Sequence, residues 1–303
     1  MNVQEIIDAV VVKAKEELQA YIDECKKQGK TLCDLTIDWG NPHYNSANMQ
    51  LLYIIRYFYA YIMEYKHLFQ YVRLDSFNVL SIGCGAYIDL LGLYLNNNQD
   101  KCVKYTGVDP AVWNYASLIK DFLPSSYEIN HLVQDFDSFM RTSEGIAHLR
   151  EANVIVFPKS IEYLETSLWE SYIKQSEFQS PIIYLVMNAM DCDYQKDKNK
   201  INFLSRLLKE KGYGEKYVLE KRTLIPQYYV EFSDSPKYPK DMFDAWVPQL
   251  YTQCILSKDW RLLQFVWRGW EESKQRFSPF PRVATPCNSR ISAGPCPACS
   301  SCS

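Results

Sequence analysis

The sequence predicts an α/β fold: a doubly wound, mostly parallel sheet with crossover helices on both faces, antiparallel strands at one edge, and an added amino-terminal helical segment. Three observations carry that prediction. From residue 75 onward, short apolar runs alternate with stretches of helical periodicity, as parallel strands joined by crossover helices require. The first of those runs ends in a turn with two glycines, and the second ends in an aspartate. After residue 216 the strand-like runs crowd closer together, which fits antiparallel pairing at a sheet edge.

The elements follow in order. Val3, Ile6, Ile7, Val10, Ala14, Leu18, Ile22 and Cys25 recur at three- and four-residue steps, the apolar stripe of an amphipathic helix. Asn2 followed by Glu5 has the pattern of a capping box, and Gly29 can end the helix in a left-handed conformation. A loop rich in Asn, Pro and Gly (39–46) leads into a tyrosine-bearing run, 51–69, that is apolar on almost every side and predicts a helix buried between layers. Residues 1–74 are thus expected to form a helical lid or brace. In the main domain, 75–276, strands are expected at 78–83, 103–109, 153–157 and 181–188, with a further one ending near Val133. Helices are expected at 88–95 and 113–123 and after each later strand. Residues 233–248, rich in Pro, Asp and aromatics, read as a long insertion loop.

Composition bounds the function. With 303 residues, 47% hydrophobic and 23% charged, the chain can bury a full core. Its 33 basic and 36 acidic side chains leave a net charge of -3, so no chain-wide positive field would attract nucleic acid. The first residues are amphipathic and charged rather than a basic stretch and an apolar block, so no secretory leader is expected. The run from Leu51 to Met63 contains Arg56 and falls short of the roughly 20 residues of a bilayer span. The expectation is a cytoplasmic protein with no membrane partner. Six of the ten cysteines are scattered through helical or strand-like segments, as reduced buried thiols would be. The other four, Cys287, Cys296, Cys299 and Cys302, fall in a tail (277–303) of Pro, Ser, Ala, Gly and Cys. They have the count for a tetrahedral zinc site but no hydrophobic framework around them, so disorder is expected there and no metal site.

The chemistry centres on Val79-Leu80-Ser81-Ile82-Gly83-Cys84-Gly85, a strand entering a two-glycine turn before a helix. Glycine lets the backbone approach a ligand closely and adopt positive φ. Tyr105-Thr106-Gly107-Val108-Asp109-Pro110 ends the next strand with a carboxylate where one can accept the two ribose hydroxyls of a nucleoside. Gln134-Asp135-Phe136 then supplies a polar and an aromatic residue suited to an adenine edge and face. A dinucleotide dehydrogenase would need a third glycine at Ile88, and it is absent.

At these residues, over roughly positions 75 to 230, the chain resembles the class I, Rossmann-like S-adenosylmethionine-dependent methyltransferase superfamily. VLSIGCG resembles its first motif, YTGVDP the acidic motif, VQDFD the adenine motif and NVIVFPKSIEYL the fourth. The resemblance implies S-adenosylmethionine as cofactor, held by Ser81, Gly83, Cys84, Gly85, Asp109, Pro110, Asp135 and Phe136. Gly83 and Gly85 would lie near the methionine part, Asp109 on the ribose and Asp135 near the adenine amino group. The chain departs from the pattern twice, with Ser81 where an acidic residue is usual and Tyr87 where a third glycine is common.

The acceptor is less defined. A small molecule with an O, N or S nucleophile is expected, aligned for in-line attack. Lys159, Glu162, Asn188, Asp191, His43 and Tyr44 are the polar residues available as a base, and none stands out as catalytic. Phe157-Pro158-Lys159-Ser160 lacks the patterns of the common base-modifying methyltransferases. An RNA acceptor is the first alternative, through the nine Lys or Arg between Lys196 and Arg222 with Trp260, Trp267 and Trp270. A degenerate fold serving as a cofactor-binding or interaction module is the second, motivated by Ser81 and Tyr87. Oligomeric state is left open.

Overall fold

The computed structural model describes residues 2–29, 44–96, 101–158, 160–163, 165–188 and 194–213. Residues from Tyr61 onward cluster as one compact unit and the described residues before it belong to another.

In the first unit, α1 (Val3–Lys27) buries the predicted stripe, with Ile6, Ile7, Val10, Ala14, Leu18 and Ile22 almost without solvent contact. The capping box forms reciprocally: Asn2 N–H donates to Glu5 Oε2 at 2.8 Å and Glu5 N–H to Asn2 Oδ1 at 2.9 Å. Gly29 takes φ 75, the left-handed stop. The helix α2 (Ala47–Phe69) begins in this unit, where the rings of Tyr44, Tyr53 and Tyr57 meet in sequence at 5.5 and 5.0 Å between centroids. No helix among the described residues is long and apolar enough to cross a membrane.

The second unit is an α/β structure around five strands in the order β3-β2-β1-β4-β5. They are β1 (Ser76–Ile82), β2 (Cys102–Asp109), β3 (Glu128–Val133), β4 (Val154–Pro158) and β5 (Tyr184–Asn188), and all four pairings are parallel. Near-continuous apolar runs explain this: Val79, Leu80, Ile82, Val154, Ile155, Val156 and Phe157 are all buried, as in a sheet covered on both sides. Between the strands come α3 (Ile88–Tyr94), α4 (Ser117–Lys120), α5 (Phe136–Met140), α6 (Ser143–Glu151) and α7 (Thr166–Gln175), and α8 (Tyr194–Glu210) follows β5. Leu80 and Ile82 of β1 and Ile155 and Phe157 of β4 share a core with Phe139, Leu149, Trp169, Leu204 and Leu207 from the later helices.

The helix expected over 113–123 shrinks to the single turn of α4. Pro124 stops it on one side. On the other, residues 110–116 are taken up by a bend that folds back on Asp109, whose carboxylate accepts the Ala111 N–H. The antiparallel strands expected after residue 216, the insertion at 233–248 and the tail at 277–303 lie outside the described residues.

Gly92 marks a close helix approach. A Cβ there would fall 2.4 Å from Tyr65 Cβ and 3.0 Å from the Lys66 backbone nitrogen. Gly92→Ala is therefore expected to destabilise by about 1–2 kcal/mol, overpacking outweighing the better helix propensity. Thermal unfolding checks this, and an unchanged or raised Tm would contradict it.

Candidate functional site

The strand order reverses direction between β1 and β4, and open parallel sheets form their ligand crevice at the carboxyl ends beside such a point. The turn from Ile82 to α3 occupies that position. Gly83 takes φ 75 and Gly85 φ 52. Gly83 N–H donates to Val108 O at 2.7 Å, which ties the turn to the end of β2. A Cβ on Gly83 would meet Ser160 Cβ at 2.7 Å, and the Ser160 hydroxyl donates to Ile82 O. The segment after β4 thus closes directly onto the glycine turn.

Asp109 braces the turn from the other side. Its Oδ2 accepts the Gly85 N–H and its Oδ1 the Ala111 N–H, both at 2.9 Å. The residue is only 8% exposed, and burial pushes its carboxyl up against the lowering effect of those two N–H groups.

The two departures from the methyltransferase pattern have visible structural consequences. Tyr87 keeps the backbone conformation a glycine would take, φ 63, and is the only non-glycine at positive φ among the described residues. Its ring turns inward, buried between Tyr105 and His131 at 5.8 and 5.3 Å. Ser81, fully buried, donates to Asp89 Oδ2 at 2.7 Å, and Tyr105 OH reaches the same carboxylate at 3.0 and 3.1 Å. A carboxylate from the first turn of α3 thus stands beside the serine.

Burial pushes the Asp89 carboxyl up to about 6, with Ser81 and Tyr105 opposing. The Cys84 thiol is pushed up by burial and then by the Asp109 and Asp89 charges, so it stays neutral and is no nucleophile. Burial lowers His131, Asp109 pulls it back up and Lys120 lowers it further. A carboxyl raised in the folded state binds its proton more tightly folded than unfolded, so stability falls as pH rises from about 4 to about 6. Asp89→Asn is expected to be more stable than the parent above that window, by at most about 3 kcal/mol, and to lose the advantage below it. Melting curves at about pH 4 and about pH 8 test this, and parallel behaviour of the two proteins at both values would refute it.

The predicted site residues separate into two groups. Gly83, Gly85, Pro110 and Asp135 reach the surface, whereas Ser81, Cys84, Asp109 and Phe136 are buried. Asp135 caps α5, its Oδ1 accepting the Ser138 N–H at 2.8 Å, and hydrogen bonds from the Ser138 hydroxyl and then from that N–H hold its carboxyl below the usual range. Phe136 belongs to the core and stacks on Trp169 at 5.0 Å and 15°, which removes that face as a platform for a ligand. Of the polar residues considered as a base, Tyr44 lies in the first unit against Tyr53. His43, Lys159 and Asp191, and the side chains of Glu162 and Asn188, lie outside the description. Of the basic stretch, α8 is described, and there Arg206 pairs with Glu210 at 3.8 Å and lies over the Phe203 ring. Residues 216–222 and the three tryptophans lie outside. Among the described residues no group of three His, Cys, Asp or Glu is placed to hold a metal ion.

Sequence reasoning missed Asp89, Tyr105 and Ser160 as parts of the site. An acid in the first turn of an otherwise apolar helix, α3, was the available signal for Asp89. Compared with known proteins, the chain matches no family model and no curated sequence.

Proposed function

We propose that this chain is an S-adenosylmethionine-dependent methyltransferase with a doubly wound, Rossmann-like sheet, acting in the cytoplasm on an O, N or S nucleophile of a small molecule. The observation that carries the proposal is the glycine turn at the end of the central strand, braced by Asp109 at the sheet's reversal point. The residues present fit the cofactor. Two glycines at positive φ let the turn pack close against Ser160 and Trp113, and the exposed apolar side chains of Val112 and Val133 follow β2 and end β3, where a flat base would need apolar cover.

In this reading Gly83 and Gly85 lie along the methionine part, Pro110 and the Asp109 carboxylate flank the ribose, and the exposed Asp135 carboxylate receives the adenine amino group. The cofactor supplies an activated methyl group on a sulfonium. The chain's own task is to orient and to exclude water. Asp109 does this by fixing the Gly85 and Ala111 backbone, and Ser160 by holding the β4 end against Ile82. The Ser81–Asp89–Tyr105 cluster anchors α3 beneath the turn.

Isothermal titration of the full chain with S-adenosylmethionine and with S-adenosylhomocysteine tests the proposal. Saturable binding of both is expected, with Kd in the range of roughly 1 μM to 1 mM common for enzyme substrates. Binding of neither would overturn it and leave an interaction module.

A further inference from the structure

Asp89 is a buried acid without a counter-ion among the described residues. It lies in the first turn of α3 and is 1% exposed. Ser81 donates to its Oδ2 at 2.7 Å, and Tyr105 reaches Oδ1 and Oδ2 at 3.0 and 3.1 Å. The N–H groups of Leu90 and of Asp89 itself support the charge in lesser degree. No Lys, Arg or His among the described residues forms an ion pair with it. A buried carboxylate ordinarily acquires a cationic partner, because neutral donors do not fully offset the loss of water. Buried charges left uncompensated collect where function uses them.

That charge is fixed relative to the glycine turn. Ser81, its partner in β1, precedes Gly83 by two residues, and α3 begins three residues after Gly85. Cys84, between the two glycines, is pushed up by burial and then by the charges of Asp109 and Asp89, so both carboxylates act on the turn. Tyr87, just before α3, is pushed up by burial and then by Cys84, Asp89 and Asp109. The two acids differ in company. Asp109 has the N–H groups of Ala111 and Gly85 and the opposing charge of His131, whereas the groups that support Asp89 are neutral. Burial outweighs them and pushes the Asp89 carboxyl up to about 6, a range that binding measurements can cross.

We propose that Asp89 is a specificity-determining residue of this site, whose carboxylate favours the positively charged sulfonium of S-adenosylmethionine over the neutral thioether of S-adenosylhomocysteine. The proposal rests on the methyltransferase reading for the identity of the two ligands. They differ by one methyl group and one positive charge. A fixed negative charge beside the turn therefore acts on the ratio of their affinities, while contacts to the shared ribose and adenine act on both alike. A cation binds better to the ionised carboxylate than to the protonated one. By linkage, the preference for S-adenosylmethionine rises with pH through the Asp89 titration, and the ligand releases a proton from the protein as it binds.

Isothermal titration of the full chain with each ligand, from about pH 5 to about pH 7, gives the ratio of the two Kd values for the parent, Asp89→Asn and Tyr105→Phe. Over that range the amino and carboxyl groups of both ligands keep their charges, so a change in the ratio comes from the protein. In the parent the preference for S-adenosylmethionine is expected to rise about three- to tenfold. In Asp89→Asn the ratio is expected to stay flat, because the amide carries no charge at any pH. Tyr105→Phe removes one donor to the carboxylate, so its rise is expected at higher pH than in the parent, a result that does not depend on Asp89→Asn folding. A ratio that is flat in the parent, that rises equally in Asp89→Asn, or whose rise does not move in Tyr105→Phe overturns the proposal and leaves the methyltransferase reading in place. Binding of neither ligand to the parent at any pH overturns both.

Discussion

Asp109→Ala is expected to remove measurable S-adenosylmethionine binding and to lower the Tm by several degrees. Its carboxylate is the shared acceptor for the N–H groups of Gly85 and Ala111. Hydrogen bonds to a charged group contribute roughly 1.5–3 kcal/mol each, and the truncation strands both donors. Part of that loss is offset, because burial disfavours the charged form in the first place. A net destabilisation of about 3 kcal/mol remains. Asp109→Asn separates charge from geometry: its single carbonyl oxygen can accept from one N–H while its amide group faces the other, so an intermediate loss is expected. Calorimetric melting and cofactor titration read both effects. An Asp109→Ala protein that melts and binds like the parent would mean that the turn does not depend on this carboxylate.

Gly83→Ala is expected to be comparably damaging, for two separable reasons. At φ 75 a side chain costs about 1–2 kcal/mol in backbone strain. The added Cβ would also stand 2.7 Å from Ser160 Cβ, too close for the segment after β4 to keep its place. Moving that segment breaks the bond from Ser160 to Ile82 O. The sum is a destabilisation of about 2–4 kcal/mol, with cofactor affinity reduced at least tenfold. The double variant Gly83→Ala/Ser160→Gly relieves the contact but not the strain. It is expected to recover part of the lost Tm, and no recovery would show that the contact contributes nothing.

Much of the architecture was legible because parallel strands buried on both faces read as unbroken apolar runs, and those around Val79, Val103, Val154 and Val186 each became a strand. Local signals were equally readable, since the Asn2 and Glu5 bonds and the left-handed Gly29 depend only on near neighbours in the chain. What local signals cannot carry is side-chain direction set by distant partners. Asp89 looks like a solvated acid in the first turn of a helix until the β1–β2 pairing sets Val79 opposite Tyr105 and Ser81 opposite Gly107, with Ser81 and Tyr105 on the same side of the sheet. Phe136 follows Asp135 as a ligand-facing ring would, yet it turns toward Trp169, an indole from a helix much later in the chain.

The bond from Ser160 to Ile82 joins residues 78 apart in sequence. During synthesis β1 can pair with β2, and β2 with β3, well before β4 has left the ribosome, so the central strand passes through a stage with one unpaired edge. Such non-local closure makes a slow refolding phase the expected kinetic signature of this sheet. The glycine turn gains its second wall only after β4 has emerged, so a nascent chain that stalls before residue 160 holds that turn with one of its two walls.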